Sequence, residues 1–218
     1  MNKGEHPTTA TVLHYIYDPL CGWCYGAAPL ISAAREVLPV SAHAGGMMSG
    51  TSRQPVSDTL RNYVMPHDKR IATLTGQPFG DAYFNGLLHD QGAVFDSEPP
   101  ISAVLAAEAL SGRGLDLLAR IHIAHYVEGR RIAEVAVLTD LAVELGIDSA
   151  AFAAGYASIS GAETRHHITD SRHLLARAGG HGFPTLVLER NGNLEALDIG
   201  PWLGRPDALR THLMQYAA

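Results

Sequence analysis

The sequence predicts a mixed α/β fold in the order β-α-β, helical block, β-β-α. A strand pattern near the N-terminus runs directly into a helical pattern and a second strand pattern. A long middle region has apolar residues at helical spacing, and the C-terminal part returns to strand patterns joined by a tight turn. We therefore expect residues 1–50 and 179–218 to form one discontinuous α/β domain, with residues 51–178 inserted as an all-helical domain.

The N-terminal β-α-β unit begins with Val12–Tyr17, a run of aliphatic and aromatic residues that is typical of a strand. Pro19 ends this strand because proline has no N–H and restricts the residue before it. A helix is expected over residues 24–38, with Pro29 as a kink inside it. Val40–Ala44 is expected to form a second strand, parallel to the first through a right-handed crossover.

The middle region predicts a bundle of roughly four to six helices and no second sheet. Asp148 and Ser160 are plausible N-caps, and Gly112, Gly146 and Gly179 are plausible C-terminal stops. The clearest helical repeats are Ile101–Leu110, Leu115–Val127, Ile132–Leu145 and Ile168–Ala178.

The C-terminal unit predicts a β-hairpin followed by a helix. Leu186–Glu189 is strand-like, Asn191-Gly192 is a typical two-residue hairpin turn, and Leu194–Asp198 is the return strand. Ala208–Tyr216 is expected to form the last helix.

Composition excludes several functional classes. The chain has 16 Lys and Arg against 22 Asp and Glu, a net charge of −6, and no basic cluster that would indicate nucleic-acid binding. We find no apolar run of about 20 residues, so no membrane span is expected. Residues 1–10 lack the apolar segment of a signal peptide. The 2 cysteines share one motif, which suits a reducing compartment, and the cytoplasm is the expected location.

That motif, Cys21-Gly22-Trp23-Cys24, lies between the first strand and the first helix. Free backbone N–H groups and the positive end of the helix dipole favour a thiolate at Cys21. We expect Cys21 to be the exposed sulfur and Cys24 to be shielded. A zinc half-site or two inert core thiols are the alternatives. Structural zinc usually needs four ligands and no second C-x-x-C is present, so thiol–disulfide exchange is favoured.

Three features together resemble the DsbA family of thiol–disulfide oxidoreductases. They are the C-x-x-C after the first strand, Pro29, and Gly182-Phe183-Pro184-Thr185 before the third strand. Within that family, the chain is most similar to the signal-less FrnE-like branch of predicted disulfide isomerases. The resemblance implies a thioredoxin fold with a helical insertion and a cis peptide bond before Pro184, close to the cysteines. It also implies that Trp23, Phe183, Pro184 and Thr185 contact the substrate, although simple packing explains Trp23 and Phe183 equally well.

The sequence departs from the family pattern at Tyr15. Many relatives carry an acidic residue six positions before the first cysteine, where it accepts a proton from the second one. Here Asp18 or a bound water are the candidate replacements. The Gly22-Trp23 dipeptide is also unlike those of the well-known relatives, so it does not indicate the direction of electron flow.

The resulting hypothesis is a thiol–disulfide oxidoreductase or isomerase in which Cys21 attacks and Cys24 resolves the mixed disulfide. Its expected partners are protein or peptide thiols and disulfides, with glutathione or a thioredoxin-type protein as reductant, and no metal, organic cofactor, nucleic acid or membrane. One alternative is a glutathione-linked transferase or isomerase, of the kappa-class or hydroxychromene-carboxylate isomerase type. The other is a non-catalytic binding or holdase module. His122, His125 and Glu128 could share a helical face as metal ligands, but a packing role is favoured.

Overall fold

The computed structural model describes residues 11–217. The prediction that no apolar leader precedes the first strand concerns residues 1–10, which lie outside this range. The strands within it are β1 (Val12–Tyr17), β2 (Val40–Ala44), β3 (Gln54–Pro55), β4 (Val94–Phe95), β5 (Thr185–Arg190) and β6 (Asn193–Leu197). The α-helices are α1 (Gly22–Arg35), α2 (Asp58–Thr75), α3 (Glu98–Ser111), α4 (Gly114–Tyr126), α5 (Val135–Glu144), α6 (Ser149–Ile159), α7 (Ala162–Arg177) and α8 (Pro206–Leu213).

The central sheet brings the two ends of the chain together in the strand order β2-β1-β5-β6. Strand β1 pairs parallel with β2 and antiparallel with β5, so that Tyr15 lies opposite Ala42 on one side and Leu186 on the other. The β5–β6 hairpin turns at Asn191 and Gly192, whose φ values of 51° and 77° belong to the left-handed region that this turn needs. Both strands of the N-terminal unit and the hairpin turn are as predicted.

Helix α1 contains Pro29, which cannot donate the usual hydrogen bond to the carbonyl of Tyr25. The side chain of Gln77 takes over this role, because its amide nitrogen donates to the Tyr25 carbonyl at 3.1 Å. The Tyr25 hydroxyl donates in turn to the Pro78 carbonyl at 2.6 Å. The segment after α2 is therefore attached to the first helix at the residue that follows the dithiol motif.

Helices α2–α7 all lie between β2 and β5 along the chain, as the helical spacing predicts. Asp148 caps α6 by accepting from the Ala151 N–H at 2.9 Å. The N-cap prediction for Ser160 is wrong: Ser160 ends α6, and Gly161, with φ of 88°, precedes α7. The prediction of no second sheet in this region is wrong, because β3 and β4 pair antiparallel over two residues each. The division into domains at residues 50 and 178 stays a prediction.

One apolar core extends from the sheet through α1 into the helical region. Leu13 of β1, Leu30 of α1 and Leu118 of α4 are all buried members of it. The two cysteines belong to the same core, so burial controls their chemistry. Within residues 11–217, no helix combines the length and apolar character that crossing a membrane requires.

Candidate active site

The two cysteines occupy the first turn of α1 and differ in access. Cys21 is the N-cap residue, and its carbonyl accepts from the N–H groups of Cys24 and Tyr25. Cys21 is 5% exposed and Cys24 is 0% exposed. The expectation that Cys21 is exposed is therefore wrong, although Cys21 is the more accessible of the two sulfurs, as expected. Cys21 is covered because the chain returns over it before β5, where the Phe183 carbonyl accepts from Cys21 Sγ at 3.3 Å.

Cys24 is held as a protonated thiol. Burial raises its pKa well above the ordinary value, and a hydrogen bond with Cys21 and the charge at that sulfur raise it further. A backbone hydrogen bond from Asp18 acts in the opposite direction but is outweighed. This agrees with the prediction that Cys24 is the shielded sulfur of the pair.

The loop that precedes β5 approaches the dithiol through its backbone. The Phe183–Pro184 peptide bond is cis. The Phe183 ring lies over Gly45, where an added Cβ atom would be only 2.1 Å from two ring carbons, so a side chain at Gly45 would displace the ring. The Thr185 hydroxyl donates to the Gly182 carbonyl at 2.8 Å and closes the loop. Phe183 thus reaches Cys21 with its carbonyl, while its ring packs elsewhere.

A cleft of about 390 Å³ opens beside the dithiol and is lined by both Cys21 and Trp23. The Arg70 guanidinium lies over the Trp23 ring at 5.9 Å from its centroid, which is a cation–π distance. Phe183, Pro184 and Thr185 are not part of its lining, so the structure brings together only some of the predicted site residues. Sequence reasoning missed the opposite wall, which includes Met47, Met48, Tyr63, Val64, His67, Asp68, Ile71, Tyr83 and Tyr126.

One pattern in the sequence did indicate part of this cleft wall. Leu60, Val64, Asp68 and Ile71 recur at the spacing of one helical face, and all lie on α2. An acidic residue among apolar positions on such a face indicates either a buried polar contact or a functional group. The aromatic partners Tyr83 and Tyr126 come from distant segments, and no local pattern connects them to α2.

Asp18, one of the candidates to replace the missing acid, is fully buried and engaged on both oxygens. One oxygen accepts from the Leu20 N–H and the Ser97 hydroxyl, each at 2.9 Å, and the other accepts from the Met47 N–H at 2.5 Å. Burial raises the pKa of Asp18 to about 6, and these hydrogen bonds and Arg172 oppose the shift. The carboxyl group therefore joins the motif loop to two other segments, which is a structural role.

Tyr15 fills the position of the missing acid with a buried aromatic ring. Its hydroxyl donates to the Cys24 carbonyl at 3.4 Å, and its ring stacks on Tyr17 at 5.2 Å. Burial raises the pKa of Tyr15 well above its ordinary value, so the phenol remains a hydrogen-bond donor and accepts no proton near neutral pH.

His122 and His125 are both buried in the aromatic core, and burial lowers the pKa of each to about 3. Their rings lie against Tyr126, at 6.2 Å and 4.6 Å between centroids. Glu128 does not join them, since it pairs with Arg120 at 2.9 Å. Both histidines are packed among aromatic side chains, and Glu128 is an ion-pair partner of α4.

The sheet contains both parallel and antiparallel strand pairs, helices are inserted between the two halves of the sheet, and a dithiol lies at the start of α1. Together these features define the class of thioredoxin-fold thiol–disulfide oxidoreductases. No family model matches the chain, and no match is found among curated proteins. Solved structures, in contrast, match along nearly its whole length.

The chain is 59% identical to the cytosolic disulfide reductase DsbM from Pseudomonas aeruginosa, with a TM-score of 0.89, covering 94% of this chain and 97% of that one. The structure of the same reductase with glutathione matches at 56% identity and a TM-score of 0.87, over 94% and 98%. A candidate protein disulfide isomerase from Nitrosomonas europaea is 29% identical, with a TM-score of 0.78 and coverage of 95% and 98%. The chain belongs to the DsbA family and is a thiol–disulfide oxidoreductase.

Proposed function

We propose that this protein reduces disulfide bonds in peptides or proteins in the cytoplasm, with Cys21 as the attacking sulfur, Cys24 as the resolving sulfur and glutathione as the source of electrons. The observation that carries the assignment of roles is the difference between the two sulfurs. Cys21 lines the open cleft, whereas Cys24 is completely buried with a raised pKa. The similarity to a cytosolic reductase that has been solved with glutathione supports the direction, the location and the reductant.

The proposed catalytic cycle has three steps. The Cys21 thiolate attacks one sulfur of the substrate disulfide, which forms a mixed disulfide and releases one substrate thiol. Cys24 attacks Cys21 Sγ as its proton passes to the departing substrate sulfur, which releases the second thiol and leaves a Cys21–Cys24 disulfide. Two glutathione molecules then reduce this disulfide and leave as glutathione disulfide. The substrate gains two electrons and two protons, and the glutathione pair loses them.

The four other predicted site residues would serve this cycle in different ways. Trp23 offers an apolar surface in the cleft itself. The Phe183 carbonyl accepts from the Cys21 thiol and so positions this sulfur before the thiol loses its proton. Pro184 has no N–H, and the Thr185 hydroxyl fixes the loop through Gly182. We propose that the loop holds the sulfur while Trp23 contacts the substrate.

The test is the reduction of a disulfide-containing peptide by glutathione, with glutathione disulfide measured through a coupled reductase. Cys21→Ser should lose this activity entirely. Cys24→Ser should accumulate a mixed disulfide on Cys21, seen by mass spectrometry, because nothing remains to resolve it. Each variant is the matched control of the other, since each removes one sulfur atom from the same turn. Trapping through Cys24 in the Cys21→Ser variant would contradict the proposed roles.

The same variants distinguish the two alternatives. A glutathione transferase would conjugate glutathione to an electrophilic aromatic substrate and would keep that activity in Cys24→Ser. A holdase would suppress aggregation of an unfolded protein equally well with both cysteines replaced by serine. Either result, together with undiminished glutathione-dependent turnover in Cys21→Ser, would overturn disulfide reduction as the function.

A further inference from the structure

Asp68 is a buried carboxyl group that the dithiol mechanism above does not use. It lies on α2, is 4% exposed, and lines the cleft that contains Cys21. One carboxyl oxygen accepts from the Tyr83 hydroxyl at 2.8 Å. The other oxygen accepts no hydrogen bond from residues 11–217, and no cation within that range forms an ion pair with Asp68. Unlike the fully buried unpaired polar atoms of the described core, this oxygen keeps some exposure, and Asp68 lines the cleft, so the oxygen is accessible from the cleft.

The vacant oxygen, Oδ1, lies directly against the dithiol motif. A Cβ atom built on Gly22 would be 2.5 Å from Asp68 Oδ1, which is closer than real Cβ contacts occur. Gly22, the residue between Cys21 and Trp23, therefore leaves the space that the carboxyl group occupies. This contact places an acid at the N-terminus of α1, where the attacking sulfur is also located.

A second polar group of the cleft is also without a partner. The Tyr126 hydroxyl is buried and makes no hydrogen bond within the described part of the chain. The Tyr126 ring lies 5.3 Å from the Tyr83 ring between centroids, and Tyr126 lines the same cleft as Asp68 and Cys21. Asp68 Oδ1 and the Tyr126 hydroxyl are thus two polar groups without a partner among residues 11–217, on residues that line the same cleft as Cys21.

The surroundings of Asp68 favour its protonated form near neutral pH. Burial raises the pKa of Asp68 to about 7, and the Tyr83 hydrogen bond opposes this shift. The titratable groups that share the lining of the cleft with Asp68 are Cys21, Tyr63, His67, Tyr83 and Tyr126. An acid that is half protonated at the working pH can both donate and accept a proton.

We propose that Asp68 is the acid–base residue on the substrate side of the exchange, where it protonates the thiolate that leaves the substrate disulfide. This inference rests on the proposed function. As the Cys21 thiolate forms its bond to one substrate sulfur, the other sulfur leaves with the bonding electrons and takes the Asp68 proton. The Asp68 carboxylate regains a proton from the glutathione thiol that later attacks the Cys21–Cys24 disulfide. Over one cycle Asp68 neither gains nor loses a proton.

The test compares two disulfides in single-turnover oxidation of the reduced protein, followed by tryptophan fluorescence. A peptide disulfide releases a basic alkyl thiolate that needs a proton, whereas dithiobis(nitrobenzoate) releases an acidic aryl thiolate that does not. Asp68→Asn keeps the acceptor for Tyr83 but removes the proton. We expect the variant to react with the peptide at least about tenfold more slowly and with the aryl disulfide within about twofold of wild type.

The pH profile gives a readout that a structural role would not move. With the peptide, the wild-type protein should lose rate as the pH rises through about 7, and Asp68→Asn should lack this decline. Tyr83→Phe removes the hydrogen bond that lowers the pKa of Asp68, so the decline should move to higher pH. If Asp68→Asn does not fold, the shift of the pH profile in Tyr83→Phe tests the role of Asp68 instead.

Three outcomes would overturn the role of Asp68. They are an unchanged rate and profile in Asp68→Asn, equal slowing of both disulfides, and an unmoved profile in Tyr83→Phe. The Cys21→Ser variant distinguishes failure of the Asp68 role from failure of the proposed function, because this variant should react with neither disulfide. If Cys21→Ser still reacts, the proposed function fails whatever Asp68 does.

Discussion

A methyl group at Gly45 should disable the site without touching either cysteine. Gly45→Ala would place its Cβ 2.1 Å from two carbons of the Phe183 ring, whereas ordinary contact begins at 3.4 Å. The ring must therefore retreat by about 1.3 Å, because dispersion contacts become steeply repulsive at shorter range. Gly45 does not have a positive φ, so the substitution adds crowding without backbone strain.

The expected cost follows from overpacking, which typically destabilises by about 1–3 kcal/mol. For a chain of this size, that corresponds to a fall in melting temperature of roughly 2–12 °C. Displacement of Phe183 also moves the carbonyl that accepts from Cys21 Sγ at 3.3 Å. Peptide-disulfide reduction should therefore fall together with stability.

Urea unfolding and single-turnover reduction would measure the two effects. Gly86→Ala is the matched control, since a Cβ there meets nothing within 4 Å and Gly86 has no positive φ. The double variant Gly45→Ala, Phe183→Ala should be less destabilised than the sum of the single variants, because the ring that meets the new methyl group is gone. Strict additivity, or a Gly45→Ala protein as stable and active as wild type, would refute the reasoning.

Two further predictions concern stability. The folded-state pKa of Asp18 is raised from 3.8 to about 6, so its protonated form favours folding by about 3 kcal/mol, and this contribution should be lost as pH rises from about 4 to about 6. Asp18→Asn should remove this part of the pH dependence of the free energy of unfolding, as measured by urea unfolding. If the free energies of the variant and the wild type change with pH in parallel, the prediction is wrong. Gln77→Ala should cost about 1–3 kcal/mol, because the partly buried Tyr25 carbonyl loses the side-chain donor that replaces the missing N–H of Pro29. Gln215→Ala, at an exposed side chain in the last turn, is the control and should cost less than about 0.5 kcal/mol in the same measurement; equal costs would count against the prediction.

Much of the fold could be predicted because its signals are local. The strands Val12–Tyr17 and Val40–Ala44 match the prediction residue for residue, since apolar side chains and flanking proline or glycine mark their ends. The hairpin turn follows from the ease with which Asn191 and Gly192 adopt positive φ. The placement of Cys21 at a helix N-terminus follows from the same strand-then-helix pattern.

Two features of the helical region could not be predicted in this way. Ser160 carries a good capping side chain, yet it ends α6, and Gly161 precedes α7 with a φ of 88° that glycine adopts easily. The short pairing of β3 with β4 joins residues about forty positions apart, and a two-residue ladder leaves no period to detect. Neither feature has a local signal strong enough to compete with helix propensity.

The class of chemistry can be inferred without the structure, because two cysteines three residues apart after a strand and before a helix limit the possible roles of a thiol. Tertiary packing sets how much of Cys21 remains accessible, since the covering Phe183 carbonyl comes from 162 positions away. It also brought Asp68 against Gly22 and left its second oxygen vacant. The physical reason is that conformation is set by neighbours along the chain, whereas desolvation and proton affinity are set by whichever groups the packed core brings together.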